Sequence, residues 1–175
     1  MDADAWNDVP FSYPEVGALG RGHRPPGYEH FGYRATLGGA DHFATAVGDL
    51  LAGRMHERSG VRVTMTAPVL APGVVLVQRF RVGPVVLTAP VRILDLVTDA
   101  DRAALTYGTL RGHPEQGEEQ FVLERPADGP VTFTITGFVR PEAWYARAGA
   151  PVSRYVQRLI THRYLSALRS REARP

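Results

Sequence analysis

The sequence contains no cysteine and no lysine, and all 20 of its basic side chains are arginine. The lack of cysteine excludes disulfides, thiolate metal sites and a cysteine nucleophile, and it suits a reducing compartment, so we expect a cytoplasmic protein. The lack of lysine excludes the phosphate-binding P-loop, whose motif requires that residue. We interpret the exclusive use of arginine as the mark of a GC-rich bacterial genome.

Several other features that would indicate a function class are also missing. The apolar stretch from Val82 to Ala89 is interrupted by Gly83 and Pro84 and falls short of the roughly 20 residues of a membrane-spanning helix. The acidic start, Met1 to Asp8, does not resemble a secretory signal. A formal net charge of +2 is too small to indicate a nucleic-acid partner. The histidines lack metal-ligand spacing and there is no Gly-x-Ser-x-Gly motif, so we expect no metal, no cofactor and no serine hydrolase.

What is present predicts one domain over residues 1–175, with an irregular arm over 1–27 and a core over 28–170. Alternation of apolar and polar residues from Tyr28 predicts a first strand, and helical spacing predicts one helix from Asp41, as its N-cap, to Gly60. Six more strands and a final helix are then predicted, at 61–69, 74–81, 85–97, 103–110, 118–125, 131–139 and 151–171.

This order of elements predicts the α+β class. The short spacers favour antiparallel neighbours, so we expect a curved antiparallel sheet of about seven strands wrapped around a long C-terminal helix, with one further helix after the first strand. A sheet of this kind, closing on one helix, usually leaves an apolar cavity between them.

The most unusual local string runs from Tyr107 to Phe121 and concentrates titratable groups between two strands. His113 with Glu118 or Glu119 could form a general acid/base pair, because a neighbouring carboxylate raises an imidazole pKa and orients the ring. The alternative is a hairpin shaped by its glycines, in which the two glutamates point to opposite sides of the sheet and one pairs with Arg79 or Arg92.

Aromatic and polar side chains on the predicted strands and arm are candidates for lining the cavity. For the aromatic residues the alternative is ordinary core packing, and for the arginines it is a strand end that meets water. The candidate ligand-binding residues are Tyr13, Tyr28, Tyr33, Arg79, Arg92, Tyr107, Thr109 and Trp144.

Several separated segments resemble one family. The most specific is the Gly-His-Pro-Glu-x-Gly-Glu-Glu core within residues 107–121, and it is accompanied by segments 11–18, 25–28, 54–56 and 89–92. On these segments the chain resembles the DUF1990 (UPF0548) family, which has no agreed reaction, cofactor or catalytic residues. The order of elements is also similar to the helix-grip architecture of START-like and pollen-allergen-like domains, which bind lipids, steroids and polyketides and sometimes cyclise or hydrolyse them.

The leading hypothesis is binding of a small apolar or amphipathic molecule in the cavity, with Tyr107, His113, Glu118 and Arg92 near its polar end. The alternative is a hydrolase or cyclase acting on a polyketide-like or acyl intermediate. A third hypothesis is an interaction protein that uses its arginine-rich tail on an acidic partner. Whether the chain is an enzyme, and its oligomeric state, stay open.

Overall fold

A computed structural model of the chain describes residues 2–82, 85–142 and 160–169. Seven strands dominate it, and most of their bounds lie within a few residues of the predicted ranges. The second strand is shorter than predicted because it ends before Pro68, which has no N–H for a strand ladder. The strands are β1 (Glu29–Gly38), β2 (Arg62–Met65), β3 (Val75–Val82), β4 (Val85–Thr98), β5 (Arg102–Thr109), β6 (Glu115–Glu124) and β7 (Val131–Pro141).

The strands form one antiparallel sheet in the order β1-β7-β6-β5-β4-β3-β2. Each strand from β2 to β6 therefore lies beside the next one along the chain, while β1 pairs with β7 and aligns Ala35 with Phe133. Register shifts between Ile93 and Asp95 in β4, and near Gly38 in β1, bend the ladder. The arrangement confirms the predicted α+β class and the curved sheet of about seven strands.

The predicted helix after β1 is two helices, α1 (Phe43–Leu51) and α2 (Arg54–Arg58). They separate at Gly53, whose φ of 72° is left-handed and ends the run. Asp41 is not the N-cap, because it lies inside a short 3-10 turn and α1 begins after His42 without a side-chain cap. Asp49 accepts hydrogen bonds from Arg54 at 2.8 Å and Arg58 at 2.5 Å, and these ion pairs hold α2 against α1.

The C-terminal helix is described over residues 160–167, here called α3. Tyr164, Leu165 and Leu168 are buried and belong to the core that α3 shares with the sheet. The predicted helix start at Pro151 lies outside the described residues, as does Trp144.

The three helices cover one side of the sheet, which we call the inner face. Its core joins strand residues to helix residues in one continuous cluster, in which Phe121 stacks on Phe133 at 6.2 Å between ring centroids. The largest fully buried members include Leu37, Leu50, Met55, Leu76, Ile93, Leu105, Phe121, Phe133 and Tyr164. Thr132, Thr134 and Thr136 of β7 alternate with this core and are only half-buried.

The opposite side, which we call the outer face, is covered by residues 2–28, which we call the arm. A 3-10 helix, Ala3–Trp6, packs on Val75 and Val77 of β3, and Phe11 forms a bridge to Leu110. A second small cluster joins the arm to β7 through Tyr13, Ala18, Tyr28 and Phe138. The sheet is thus sandwiched between three helices and an irregular segment.

Candidate ligand-binding site

The hairpin of β5 and β6 positions the unusual string found in the sequence. Successive side chains in a strand point to opposite faces, so Glu118 lies on the outer face and Glu119 on the inner face. Gly117 directly precedes the two glutamates. A glycine is required at this position, because a Cβ at its φ of 144° would lie 1.9 Å from the Phe138 carbonyl oxygen. The two glutamates therefore belong to separate environments.

On the outer face, Glu118 holds the arm. It is 1% exposed, and its carboxylate accepts hydrogen bonds from the Tyr13 hydroxyl at 2.8 Å, from the Leu19 amide at 2.8 Å and from the Gly17 amide. The Tyr13 hydroxyl crosses β5 over Gly108, where a Cβ would stand 2.2 Å from it. Burial, followed by the charge of Glu118, raises the pKa of Tyr13, so it stays a donor. The carboxylate of Glu118 is therefore occupied by hydrogen bonds within the protein.

The other predicted residues of this face also bind the arm. Arg92 donates to the carbonyls of three arm residues at 2.5–3.1 Å and lies 5.4 Å from the Phe11 ring. The Tyr28 hydroxyl donates to Glu15 at 2.5 Å, and the Thr109 hydroxyl lies 2.7 Å from that of Ser12. Arg79 shares the outward parity of Val75 and Val77 and is half-buried. The structure therefore places Tyr13 and Tyr28 of the arm and Arg92, Thr109 and Glu118 of the sheet at the outer face, and not at the inner face.

The inner face carries a different polar group of residues, set in apolar surroundings. Tyr107 donates a hydrogen bond to Glu119, its direct neighbour across the ladder. Tyr164 of α3 donates to the side-chain carbonyl of Gln78 in β3 at 2.9 Å, and Gln78 also reaches the hydroxyl of Tyr107. We call Gln78, Tyr107, Glu119 and Tyr164 the inner polar cluster. It joins three strands to the C-terminal helix.

Glu119 is the titratable centre of this cluster. Burial raises its pKa from 4.5 to about 7, the Tyr107 hydrogen bond opposes that rise, and the charge of Glu115 adds to it. The residue nevertheless keeps some accessible surface. The carboxyl group of Glu119 is therefore largely surrounded by protein, although part of the residue is accessible to solvent. Burial likewise raises the pKa of Tyr107 and Tyr164, which remain neutral donors.

Apolar side chains with unburied area lie on the same face as Glu119. Phe31 lies in the same row across the sheet as Glu119, because both are aligned with Gly137, and a Cβ at Gly137 would stand 2.5 Å from the Phe31 ring. Tyr33 follows on the same face of β1, its ring 5.6 Å from that of His162. Of the predicted set, Tyr33, Tyr107 and Glu119 are thus on the inner face.

His113 is occupied by the turn that contains it. Its Nδ1 lies 2.9 Å from the amide and 2.8 Å from the carbonyl of Glu115, and burial lowers its pKa to about 4. Within the described part of the chain, no hydrogen bond joins it to Glu118 or Glu119. The predicted acid/base pair is therefore not assembled in this geometry.

The sequence reasoning missed Gln78, and it placed Tyr164 in the predicted final helix without a role at the site. A signal for Gln78 existed, because it is a polar residue at the inward parity of β3, between Leu76 and Phe80. It also missed His56, which is fully buried and contacts the Tyr164 ring at 5.1 Å. Neither ring nitrogen of His56 has a hydrogen-bond partner among the described residues, and burial lowers its pKa to about 4.

Residues 2–82, 85–142 and 160–169 contain no group of three or more histidine and acidic side chains that could hold a metal ion. The helices of the same ranges include none that is long and apolar enough to cross a membrane.

Solved structures share the fold at low sequence identity. An aromatase/cyclase from a Streptomyces species superposes with a TM-score of 0.60 and 15% identity, covering 81% of this chain and 91% of its own. A norcoclaurine synthase mutant from Thalictrum flavum, bound to a transition-state analogue, gives 0.56 and 8%, covering 81% and 94%. A hypothetical protein from Helicobacter pylori gives 0.58 and 8%, covering 89% and 94%. These neighbours place the chain in the helix-grip, START-like fold.

Two curated relatives are closer in sequence and are both called UPF0548 protein. The one from Deinococcus radiodurans is 46% identical over 69 residues, and the one from Dictyostelium discoideum is 41% identical over 59. The matched segments cover 39% and 30% of this chain, but only 31% and 27% of those relatives. A family model described as a domain of unknown function, DUF1990, matches residues 12–167, from the arm to α3. The resemblance noted in the sequence is confirmed, and the chain belongs to the DUF1990 family.

Proposed function

We propose that the inner face, between the sheet and the C-terminal helix, binds one small apolar or amphipathic molecule with Tyr107 and Glu119 at its polar end. The observation that carries this proposal is the state of Glu119, a desolvated carboxyl group that keeps accessible surface. Burying a carboxyl costs stability, and natural proteins tolerate such a cost chiefly at functional sites.

The surroundings of Glu119 match the chemistry of such a ligand. Near pH 7 the group is about half protonated, so it can accept from a ligand hydroxyl or donate to a ligand carbonyl. Phe31, Tyr33 and Phe80 on the inner face are only partly buried. Each therefore offers apolar area to a ligand, at about 25 cal/mol per Å² covered.

The fold is a second, separate line of support for ligand binding. The solved neighbours include an aromatase/cyclase and a synthase bound to a transition-state analogue, so this architecture accommodates small organic molecules in other proteins. Fold analogy supports the site but does not name its ligand.

The test uses the neutral fluorescent probe N-phenyl-1-naphthylamine, titrated into the wild type at pH 5 to 9. We expect saturable binding that weakens, up to about tenfold, as Glu119 ionises, because covering a charged carboxylate with an apolar molecule costs free energy. Glu119→Gln should bind with little pH dependence. Glu124→Gln, in the same strand but on the outer face, is the matched control and should follow the wild type.

Absence of saturable binding, or the same pH dependence in Glu119→Gln as in the wild type, would contradict the proposal. Native mass spectrometry of freshly purified protein adds an independent check, because a resident ligand appears as a discrete mass increment that is lost on unfolding.

The second candidate is a hydrolase or cyclase acting on a polyketide-like or acyl substrate. The pKa of about 7 at Glu119, next to the Tyr107 hydroxyl, favours it, because a group poised near working pH is the best general acid or base. In a cyclisation, the Glu119 carboxylate would take a proton from a carbon next to a carbonyl, and the Tyr107 hydroxyl would turn its one proton from Glu119 to the enolate oxygen that forms.

This candidate differs from simple binding in its response to substitution. Turnover of an acyl or polyketide-like substrate should fall at least a hundredfold in Glu119→Gln while probe affinity at pH 6 is kept. His113→Ala tests the acid/base pair that the sequence suggested. Turnover should fall in this variant only if His113 takes part in the reaction. Unchanged turnover in Glu119→Gln would contradict this enzymatic role.

A further inference from the structure

The end of the β3–β4 hairpin exposes apolar side chains. Val85 and Val86 are 54% and 51% exposed, the highest values among the large apolar residues of the described ranges. They start β4, directly opposite Arg81 and Val82 of β3. Adjacent residues of a strand point to opposite faces of the sheet. Packing against one face therefore cannot bury both Val85 and Val86.

The strand segments nearest this end carry charge of one sign along the chain. From Arg58 to Leu94 the chain contains five arginines and no aspartate or glutamate. Arg58 pairs with Asp49, and Arg92 is bound beneath the arm. Arg62 and Arg81 are exposed on the strands nearest the hairpin end. An apolar end bordered by exposed positive charge results.

The same hairpin leads to the inner polar cluster. On the inner face, Phe80 is aligned with Leu87, both half-buried, and the next aligned pair is Gln78 with Ala89. Gln78 is the residue that binds Tyr164. A row of inward-facing side chains therefore runs from Val85 to the inner polar cluster.

We propose that this hairpin end, defined by Arg62, Arg81, Val85 and Val86, docks on an anionic lipid surface. The valines enter the boundary between headgroups and acyl chains, and the two arginines contact anionic headgroups. A phosphate-rich nucleic acid would use the arginines but not the valines, so a lipid surface fits the combination better. The surface is argued from its own exposed residues and stands whether or not the inner face binds a ligand.

The test is co-sedimentation of the full chain with vesicles of phosphatidylcholine, alone or with 30% phosphatidylglycerol, at about 0.05 M and 0.5 M NaCl. We expect binding to the anionic vesicles at low salt and little at high salt. Each arginine near the surface is worth about fivefold in partitioning, so Arg62→Glu with Arg81→Glu should lower it at least tenfold.

The valines are tested separately. Val85→Ser with Val86→Ser should lower partitioning several-fold without unfolding the chain, since both positions are exposed. Val97→Ser is the matched control, because Val97 lies in the same strand at its far end and is 36% exposed. It should bind vesicles like the wild type.

Three outcomes would overturn the proposal. They are no binding to anionic vesicles at low salt, equal loss in the Val97 control, and a concentration-dependent dimer in sedimentation velocity that the paired serine variant abolishes. The last would mean that a second copy of the chain occupies this surface.

Discussion

Replacing Glu119 by glutamine should remove a strong pH dependence from the stability of the protein. Burial raises the pKa of this carboxyl from 4.5 to about 7, so the folded state keeps its proton where the unfolded state has lost it. The stabilising contribution is complete below pH 4.5 and is lost as the pH rises to about 7. Above that pH, folding must bury a carboxylate that has only neutral hydrogen-bond partners in the described residues.

The expected size follows from the two pKa values. They differ by about 2.5, which corresponds to about 3 kcal/mol of unfolding free energy. Glutamine keeps the shape but does not ionise. The free energy of unfolding of Glu119→Gln, minus that of the wild type, should therefore rise by about 3 kcal/mol between pH 4.5 and pH 8.

The assay is urea unfolding followed by circular dichroism at half-unit pH steps, with Glu124→Gln as the control on the outer side of the same strand. Glu115 is the titratable carboxyl that adds to the shift, so the double variant with Glu115→Gln should show a smaller change. A difference between Glu119→Gln and the wild type that stays constant with pH would refute the reasoning, because it would mean that Glu119 is solvated in the folded state.

Three further predictions concern other parts of the structure. Gly108→Ala should lower the free energy of unfolding by about 2 kcal/mol, because the new methyl group would be pushed against the Tyr13 hydroxyl. Gly48→Ala should raise it by up to about 1 kcal/mol, because this position is helical and no atom lies within 4 Å of its Cβ. Thermal unfolding measures both changes. Glu118→Ala should leave three donors of the arm unpaired and speed tryptic cleavage within the arm, while the sheet stays protected. Burial depresses the pKa of His56 to about 4, so its neutral form stabilises the fold above pH 6.5. The free energy of unfolding of the wild type should therefore fall by about 3 kcal/mol as the pH falls from 6.5 towards 4, and His56→Phe should abolish this loss. Equal acid sensitivity of the two proteins would contradict this.

Much of the sheet could be predicted because alternation records burial directly. In β7, Val131, Phe133 and Ile135 alternate with threonines, and the pattern predicts both the strand and the side of it that joins the main core. The break between α1 and α2 is harder to predict, because the apolar spacing continues across Gly53 and only the positive φ of that glycine interrupts it. Helical periodicity reports which residues are buried, and it is insensitive to a turn that keeps the same side inward.

The candidate site could be predicted only in part. That Glu118 and Glu119 face opposite ways follows from strand geometry alone, and this part of the sequence-based alternative matches the observed contacts. The arginine partner that it expected is replaced by Tyr13 for Glu118 and by Tyr107 for Glu119. Their partners do not follow from it. The amide groups of Gly17 and Leu19 reach Glu118 from an irregular segment, about 100 positions away along the chain, whose path no periodicity encodes. Long-range contacts of irregular backbone are where local sequence rules carry least information.

Nuclear magnetic resonance tests most directly whether the inner face beside Glu119 binds a small molecule. Amide and side-chain methyl shifts of labelled protein, titrated with N-phenyl-1-naphthylamine at pH 6, would locate the bound probe. The account predicts saturable shifts concentrated on inner-face residues around Tyr107, Glu119 and Tyr164, with the arm unchanged. Shifts confined to the arm and the outer face, or no saturable shifts at all, would contradict it.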